Sequence, residues 1–262
     1  MGLVEWVVDR EVPGGRLRAG FTARAGGVST GSYAGLNLGF HVGDDPGAVA
    51  ENRRLLELEA PGLAWMDQVH GDALAAARAG VTAKATDALV VDPGAGRSAA
   101  AVMVADCVPL LLLTGNRPLA AAVHVGRGGL LAGIAVKAVD ELRRRGGEDV
   151  SAVLGPSICG RCYEVPPSMR DEADALAPGA AATTSWGTPS LDLPSTSPVP
   201  SSGNWRPGAW RRSACSASAP SRTRRTSRIA ALAPRAERPG VSPESRRQLA
   251  TRPPKSPVRG EK

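Results

Sequence analysis

Short, unbroken apolar runs alternate with polar turns through the middle of the chain. They fall at 87–92 (DALVVD), 99–105 (AAAVMVA), 110–113 (LLLL) and 118–125 (PLAAAVHV), with Gly, Pro or Asp at their boundaries. Runs this short, without polar alternation, predict strands buried on both faces. The period then changes: Leu131, Ile134, Ala138 and Leu142 recur at helical spacing and predict a helix over 130–145. Arg143, Arg144 and Arg145 suit its last turn, and Gly146 and Gly147 end it. A second helix is predicted over 46–58, capped by Asp44 or Asp45, and a further strand over 152–154, ended by Gly155 and Pro156. Strand, helix, strand in that order predicts an α/β domain whose mixed or parallel sheet is covered by helices.

Composition divides the chain. Of its 262 residues, 1–190 carry 17 Lys+Arg against 21 Asp+Glu, whereas 191–262 carry 15 against 4, so the net charge of +7 comes from the tail. A basic chain would point to nucleic acid; the mildly acidic first part gives no such hint, and no specific nucleic-acid partner is expected. From Leu191 onward there are 13 Arg, 12 Ser, 11 Pro and 9 Ala in 72 residues, with no periodicity. A domain over 1–193 and a disordered basic tail over 194–262 are therefore expected, the tail suited at most to weak binding of anions. The tail has a second reading. Ser, Arg, Pro and Ala dominate when a GC-rich gene is read out of frame. Codons can be chosen for 213–231 (SACSASAPSRTRRTSRIAA) that read one base earlier as VGVFGVCTVEDEAYFSHRR. The nucleotide sequence around codons 190–200 decides between the two.

No apolar run reaches the length of a membrane span. The N-terminal MGLVEWVVDREVPGG has acids within its apolar stretch and no basic region ahead of it, so no secretory signal is expected. Four cysteines make no disulfide scaffold, and a reducing cytoplasm is the expected location.

Candidate chemistry gathers at a few positions. Gly26, Gly27 and Gly31 in FTARAGGVSTGSYAGLNLG mark a loop needing unusual backbone angles or close approach; no Gly-Lys-Ser/Thr follows, so it is not a Walker loop. His70 (WMDQVHG), Cys107 (VADCVPL) and His124 (AAVHVGRGG) are potential metal ligands, 37 and 17 residues apart. Those gaps are too long for a finger-type site. Two His and one Cys would leave a corner of tetrahedral zinc open, as in catalytic sites. Spacing alone leaves open that the three are unrelated and that Cys107 is simply a small buried hydrophobe. Cys159 and Cys162 form a C-x-x-C, read as a turn with incidental thiols rather than a redox pair or half a zinc knuckle. Cys215 falls in the tail and receives no role.

The stretches TARAGGVSTGSYAGLNLG, HVGDDPGAVAENR, WMDQVHG, TDALVV, VADCVPLLL, HVGRGGLLAGI, GPSICGRCYEV and SLDL together resemble the YfiH family, also called laccase-domain or multicopper polyphenol oxidase proteins. The resemblance covers residues from about 20 to 193. It implies a single-domain, three-layer α/β sandwich around a mixed sheet, and zinc held by His70, Cys107 and His124. It implies phosphorolysis of adenosine, inosine and methylthioadenosine, with adenosine deamination; copper-dependent polyphenol oxidation and peptidoglycan editing are also ascribed to the family. Two departures stand out. The common HAGWRG motif reads His124-Val125-Gly126-Arg127-Gly128-Gly129, and the CT…E…YFSHRR portion is missing from the printed frame but present in the shifted one.

On this reading the substrates are a purine nucleoside and phosphate. Zinc would lower the pKa of a water to about 7 for attack on C6 of adenosine, or act as a Lewis acid. Arg24 and Arg127 are candidates to hold phosphate, with Gln68 and Asn37 as further substrate-binding candidates. Asp106 is a candidate acid/base or orienter of a ligating His, its plainer role being a strand-end cap. A metal-free alternative makes Cys107 a nucleophile with His124 as its base, as in an amidase. Copper oxidation needs several coppers and more His ligands than His41, His70 and His124 supply.

Overall fold

In the computed structural model of the chain, the described residues are 2–92, 94, 98–158, 160, 162–176, 178–179, 181–183, 189–191 and 228–235. In chain order the elements are strands β1 (Val4–Val12) and β2 (Gly15–Thr22), helix α1 (Pro46–Glu59), then strands β3 (Leu63–Met66), β4 (Leu74–Ala76), β5 (Thr82–Ala83), β6 (Ala88–Val91), β7 (Ala99–Val104), β8 (Val108–Leu113) and β9 (Ala120–Val125). Helices α2 (Arg127–Leu131) and α3 (Ile134–Arg144), strand β10 (Ser151–Leu154), helix α4 (Pro167–Leu176) and strands β11 (Ala181–Thr183), β12 (Pro189–Leu191) and β13 (Arg228–Arg235) follow.

The strands form two mixed sheets, ordered β1-β2-β13-β7-β3-β5 and β10-β8-β9-β6-β4, plus the small ribbon β11-β12. The apolar runs are buried on both faces because each face meets a different layer. In β6, Ala88 and Val90 pack with Ile134, Ala138 and Leu142 of α3, while Leu89 and Val91 point the other way, into the space between the sheets. Leu110 and Leu112 against Leu111 and Leu113 repeat the alternation in β8. The interface between the sheets is rich in small residues (Ala64, Ala100, Ala120, Ala122), which lets the sheets approach closely. Beyond the six-stranded sheet, Leu56 of α1 joins Leu36, Leu38, Leu63 and Trp65 in a third cluster. The expected mixed-sheet α/β sandwich is therefore present, with two sheets rather than one at its centre and a helix on either side. Each fully buried Leu in these layers contributes roughly 1.5–3 kcal/mol.

Asp45 is the residue that caps α1, accepting the Ala48 N–H at 2.8 Å. The helix predicted over 130–145 is broken into α2 and α3. Gly133 takes a left-handed φ of 81°, and its N–H donates to the Leu130 carbonyl, which ends α2 in the manner of a glycine terminator. The predicted end of α3 holds: Gly146 is left-handed and Gly147 N–H returns to Leu142 O at 2.9 Å.

One element contradicts the expectation of a tail without regular structure. Arg228–Arg235 forms β13, antiparallel to both β2 and β7, pairing Ala231 with Gly20 on one side and Ala101 on the other. Backbone pairing with the facing edges of β2 and β7, whose other edges are taken by β1 and β3, overrides the poor local propensity of this segment. The rest of the tail lies outside the described residues. Among the described residues no helix is long and apolar enough to cross a membrane.

The glycine-rich loop before α1 behaves as its sequence predicts. Gly26 and Gly31 have φ of 91° and 59°, and a Cβ on Gly27 would stand 2.3 Å from Gly35 O. Fully buried Asn52 of α1 stitches this loop down: its amide donates to Ser29 Oγ and the Asn37 carbonyl, and its oxygen accepts Val28 N–H.

Candidate functional site

Sheet pairing brings the chemistry together. β6 pairs Ala88 with Val123 of β9, so Asp87, one step earlier, lies beside His124. On the other side of β9, β8 pairs Val108 with Val125, which puts Cys107 just past the same strand end. β4 runs parallel to β6, and the loop leading into it supplies His70.

Asp87 is the knot of this arrangement. It is fully buried, and its carboxylate lies 2.7 Å from His124 Nδ1. The same carboxylate accepts three successive backbone N–H groups, from Val69 (3.3 Å), His70 (3.0 Å) and Gly71 (2.9 Å). A buried acid so surrounded fixes two things. It draws the proton of His124 to Nδ1, leaving Nε2 with a free lone pair, and it wraps the His70 loop into the left-handed φ of 61° that His70 adopts. The rings of His70 and His124 then meet edge to face, with centroids 4.7 Å apart.

The glycines of His124-Val125-Gly126-Arg127-Gly128-Gly129 permit this contact. A Cβ on Gly126 would stand 2.7 Å from His70 Cδ2, one on Gly128 2.8 Å from His70 O, and one on Gly129 2.6 Å from Gly71 O. Gly128, where the related motif carries Arg, thus has no room for a side chain without a backbone shift.

The ligand atoms of His70, Cys107 and His124 all lie within 4.8 Å of one another. A tetrahedral ion with bonds of about 2.0–2.3 Å holds such donors about 3.3–3.8 Å apart, so closing by about 1 Å would seat one. The electrostatics suit the same use. Burial pushes the His124 imidazole below the ordinary histidine value despite the opposing Asp87 hydrogen bond, which keeps it neutral and able to donate its lone pair. Burial pushes the Cys107 thiol up, and the Asp87 charge adds to this. A thiolate there needs a cation beside it, and metal binding supplies one as the proton leaves.

The cluster opens into a cavity of about 500 Å³ lined by His41, Val42, Met66, Asp67, Gln68, His70, Met103, Val104, Ala105, Asp106, Cys107 and His124. Of the sequence-predicted residues, His70, Cys107, His124, Asp106 and Gln68 come together here. Gln68 is clipped to the backbone of β7: its amide donates to Met103 O at 2.8 Å and accepts Met103 N–H at 2.9 Å. Asp106 lines the cavity while its carbonyl accepts Ile158 N–H, but the carboxylate that orients His124 belongs to Asp87. Asn37 is buried in the glycine-rich loop, donating to Asp44 at 2.9 Å, and is absent from the cavity lining. Arg24 is likewise absent, its Nε donating to Ala34 O. Arg127, at the start of α2, pairs with Glu172 of α4 at 3.2 Å. It and Cys107 both act on Tyr163: burial raises the Tyr163 phenol, the Cys107 charge adds to the rise, and Arg127 opposes it. Cys162 is disulfide-bonded, which corrects the expectation of an incidental thiol; Cys159 lies outside the described residues.

Sequence reasoning missed Asp87. The available signal was an acid opening the buried run DALVVD, since a carboxylate at the edge of such a strand must find donors.

Residues 18–198 match the family model described as multi-copper polyphenol oxidoreductase laccase. A purine nucleoside phosphorylase of Mycobacterium tuberculosis is 46% identical over 186 residues, covering 68% of this chain and 74% of the relative. One of Streptomyces coelicolor is 46% identical over 181 residues, covering 66% and 75%. Among solved structures, YlmD from Geobacillus stearothermophilus superposes with a TM-score of 0.68 at 27% identity, covering 88% of this chain and 100% of its own. YfiH from Bacillus licheniformis gives a TM-score of 0.64 at 25% identity, covering 86% and 98%.

Proposed function

Because the chain belongs to the multi-copper polyphenol oxidoreductase laccase family, and because its His70, Cys107 and His124 converge at one cavity, we propose that it is a zinc-dependent purine nucleoside phosphorylase. The converging donor set carries this reading, and the names of its relatives support it. Two imidazoles and one thiolate suit zinc better than the several coppers of an oxidase. Zinc held there would supply Lewis acidity and positive charge against an oxygen of the substrate.

The protein's own residues do the rest. Asp87 fixes the tautomer and direction of His124, and burial keeps the ring neutral. The cavity, at about 500 Å³, is roomy enough for a nucleoside. Phosphate attacks C1′ of the ribose as the purine leaves, and Arg127, once turned from Glu172, is the candidate for the phosphate charge. Adenosine, inosine and methylthioadenosine are the proposed substrates, with deamination at C6 of adenosine as a side activity.

The test pairs metal analysis with phosphate-dependent release of base from inosine. Cys107→Ala is expected to lose stoichiometric zinc and turnover together; phosphorolysis that survives without zinc overturns the metal reading.

A second reading has one observation in its favour. Cys107, His124 and Asp87 stand in the order of nucleophile, base and orienting acid, with the 2.7 Å Asp87–His124 contact in place. A Cys-His hydrolase, such as an amidase, would use that chain without metal. The raised Cys107 thiol weighs against it, since a nucleophilic cysteine needs its thiolate. Trapping of Cys107 by an alkylating substrate analogue in zinc-free protein would restore it.

A further inference from the structure

The chain has three histidines, and all three line the same cavity. Two belong to the donor cluster. The third, His41, does not, and nothing derived so far uses it. It sits on the short 3-10 turn Phe40–Val42, exposed at the cavity. That turn is well fixed. Gly43 closes it in the left-handed conformation, with φ of 90°. Tyr33 Oη donates to the Val42 carbonyl at 2.5 Å. The Arg53 guanidinium lies 4.5 Å from the Phe40 ring and 3.8 Å from the Trp65 ring, and its Nε donates to Leu38 O.

Phosphorolysis of a purine nucleoside has a need that the cluster does not meet. The leaving base departs as an anion unless N7 receives a proton as the bond to C1′ breaks. His70, Cys107 and His124 are committed to metal on the reading above. Asp67 and Asp106, the cavity's carboxylates, are acceptors when ionised, and Asp67 has Lys84 at 3.9 Å. An exposed imidazole is the side-chain type that carries and returns a proton near neutral pH.

We propose that His41 is the general acid that protonates the leaving purine. The assignment rests on the phosphorylase reading. In the step, the N9–C1′ bond breaks with its electron pair passing into the purine. A phosphate oxygen forms the new bond to C1′. The imidazolium proton moves to N7, and neutral His41 recovers a proton from water.

The test uses the full-length, zinc-loaded chain and two nucleosides that differ in leaving group. Inosine needs a proton at N7. In 7-methylinosine N7 already carries a methyl group and the positive charge, so the base leaves unaided. His41→Gln is expected to lower kcat/KM on inosine by about 10²- to 10³-fold while leaving 7-methylinosine within about three-fold of the parent. Zinc content and melting temperature should match the parent. Equal losses on both nucleosides overturn the assignment in favour of a binding or structural role. An undiminished rate on inosine overturns it outright while leaving the phosphorylase reading intact. A parent chain that cleaves neither nucleoside overturns the phosphorylase reading and this assignment with it.

Discussion

The cavity is lined from two sources built in opposite ways. On one side, Asp87 and His124 are 0% and 3% exposed, locked by sheet register and by backbone N–H groups that all serve one carboxylate. On the other, the Phe40–Val42 turn lies outside the sheets, with Phe40 half-exposed and held by side chains of α1, β3 and the loop itself. The difference separates two chemical requirements. A metal needs donors that are pre-aimed, which the buried Asp87–His124 pair and the His70 loop wrapped on Asp87 provide. A proton donor must exchange with water, which burial would prevent. Structural damage should therefore be concentrated on the first side, and changes in turnover without structural damage on the second.

The largest expected effect is Asp87→Asn. The amide keeps the shape but removes the charge and offers an N–H where His124 and three backbone groups already donate. Breaking a buried charged network of this kind costs about 3–5 kcal/mol. Loss of the group that orients a ligating His lowers metal affinity by about 10- to 100-fold. Chemical denaturation and zinc titration read the two losses. Retention of both would break the contrast between the two sides, since Asp87 would then be no more than a neighbour.

Much of this first side was legible in the sequence. DALVVD, AAAVMVA, LLLL and PLAAAVHV read as doubly buried strands because both their faces are covered, and β6 to β9 bear this out. His70, Cys107 and His124 stand out as potential ligands by residue type, and the motif resemblance joins them where spacing alone leaves open that they are unrelated. Asp87 was not legible, because its partners are backbone amides of a loop some seventeen residues earlier, and main-chain donors leave no signature in side-chain identity. Asn37 illustrates the complementary difficulty: a polar residue in a glycine-rich loop looks available, and here its side chain bonds Asp44 and Gly39 away from the cavity lining. β13 was invisible, because its pairing depends on a gap between β2 and β7 that only the fold creates.

Titration gives a middle-sized test of the buried side in metal-free protein. Burial lowers His124 below its ordinary 6.5, so below that pH the unfolded chain binds a proton that the folded chain resists. Stability is then lost as pH falls through about 6.5. The Cys107 thiol is raised above its ordinary 9.0, so above that pH the unfolded chain sheds a proton that the folded chain keeps, and stability falls again as pH rises. Each limb has a limiting slope of about 1.4 kcal/mol per pH unit. Denaturation at several pH values should show a plateau between the two limbs. Cys107→Ala should remove the alkaline limb and leave the acid one. A single slope across the whole range would mean that these groups do not feel the burial that defines their side of the cavity.

The smallest expected effect tests the exposed side at its support, Arg53. Burial pushes this guanidinium down to about 10. Among the described residues it is held by the Phe40 and Trp65 rings, the Leu38 carbonyl and Met103 Sδ rather than by a carboxylate. A planar cation between two rings ties the Phe40 turn to β3. Arg53→Lys keeps the charge but gives up the flat stacking surface and the fixed direction of Nε toward Leu38, since an ammonium group is a compact point charge on a flexible stem. The change is expected to cost about 1 kcal/mol of stability. Zinc content should be untouched, because no donor of the cluster contacts Arg53. With His41 less firmly placed, kcat on inosine should fall by about five- to ten-fold with 7-methylinosine nearly unaffected, a fainter copy of the His41→Gln pattern. If Arg53→Lys instead released zinc, the two sides would be mechanically one, and the division of labour between donors anchored on Asp87 and a proton carrier on the outer turn would fail.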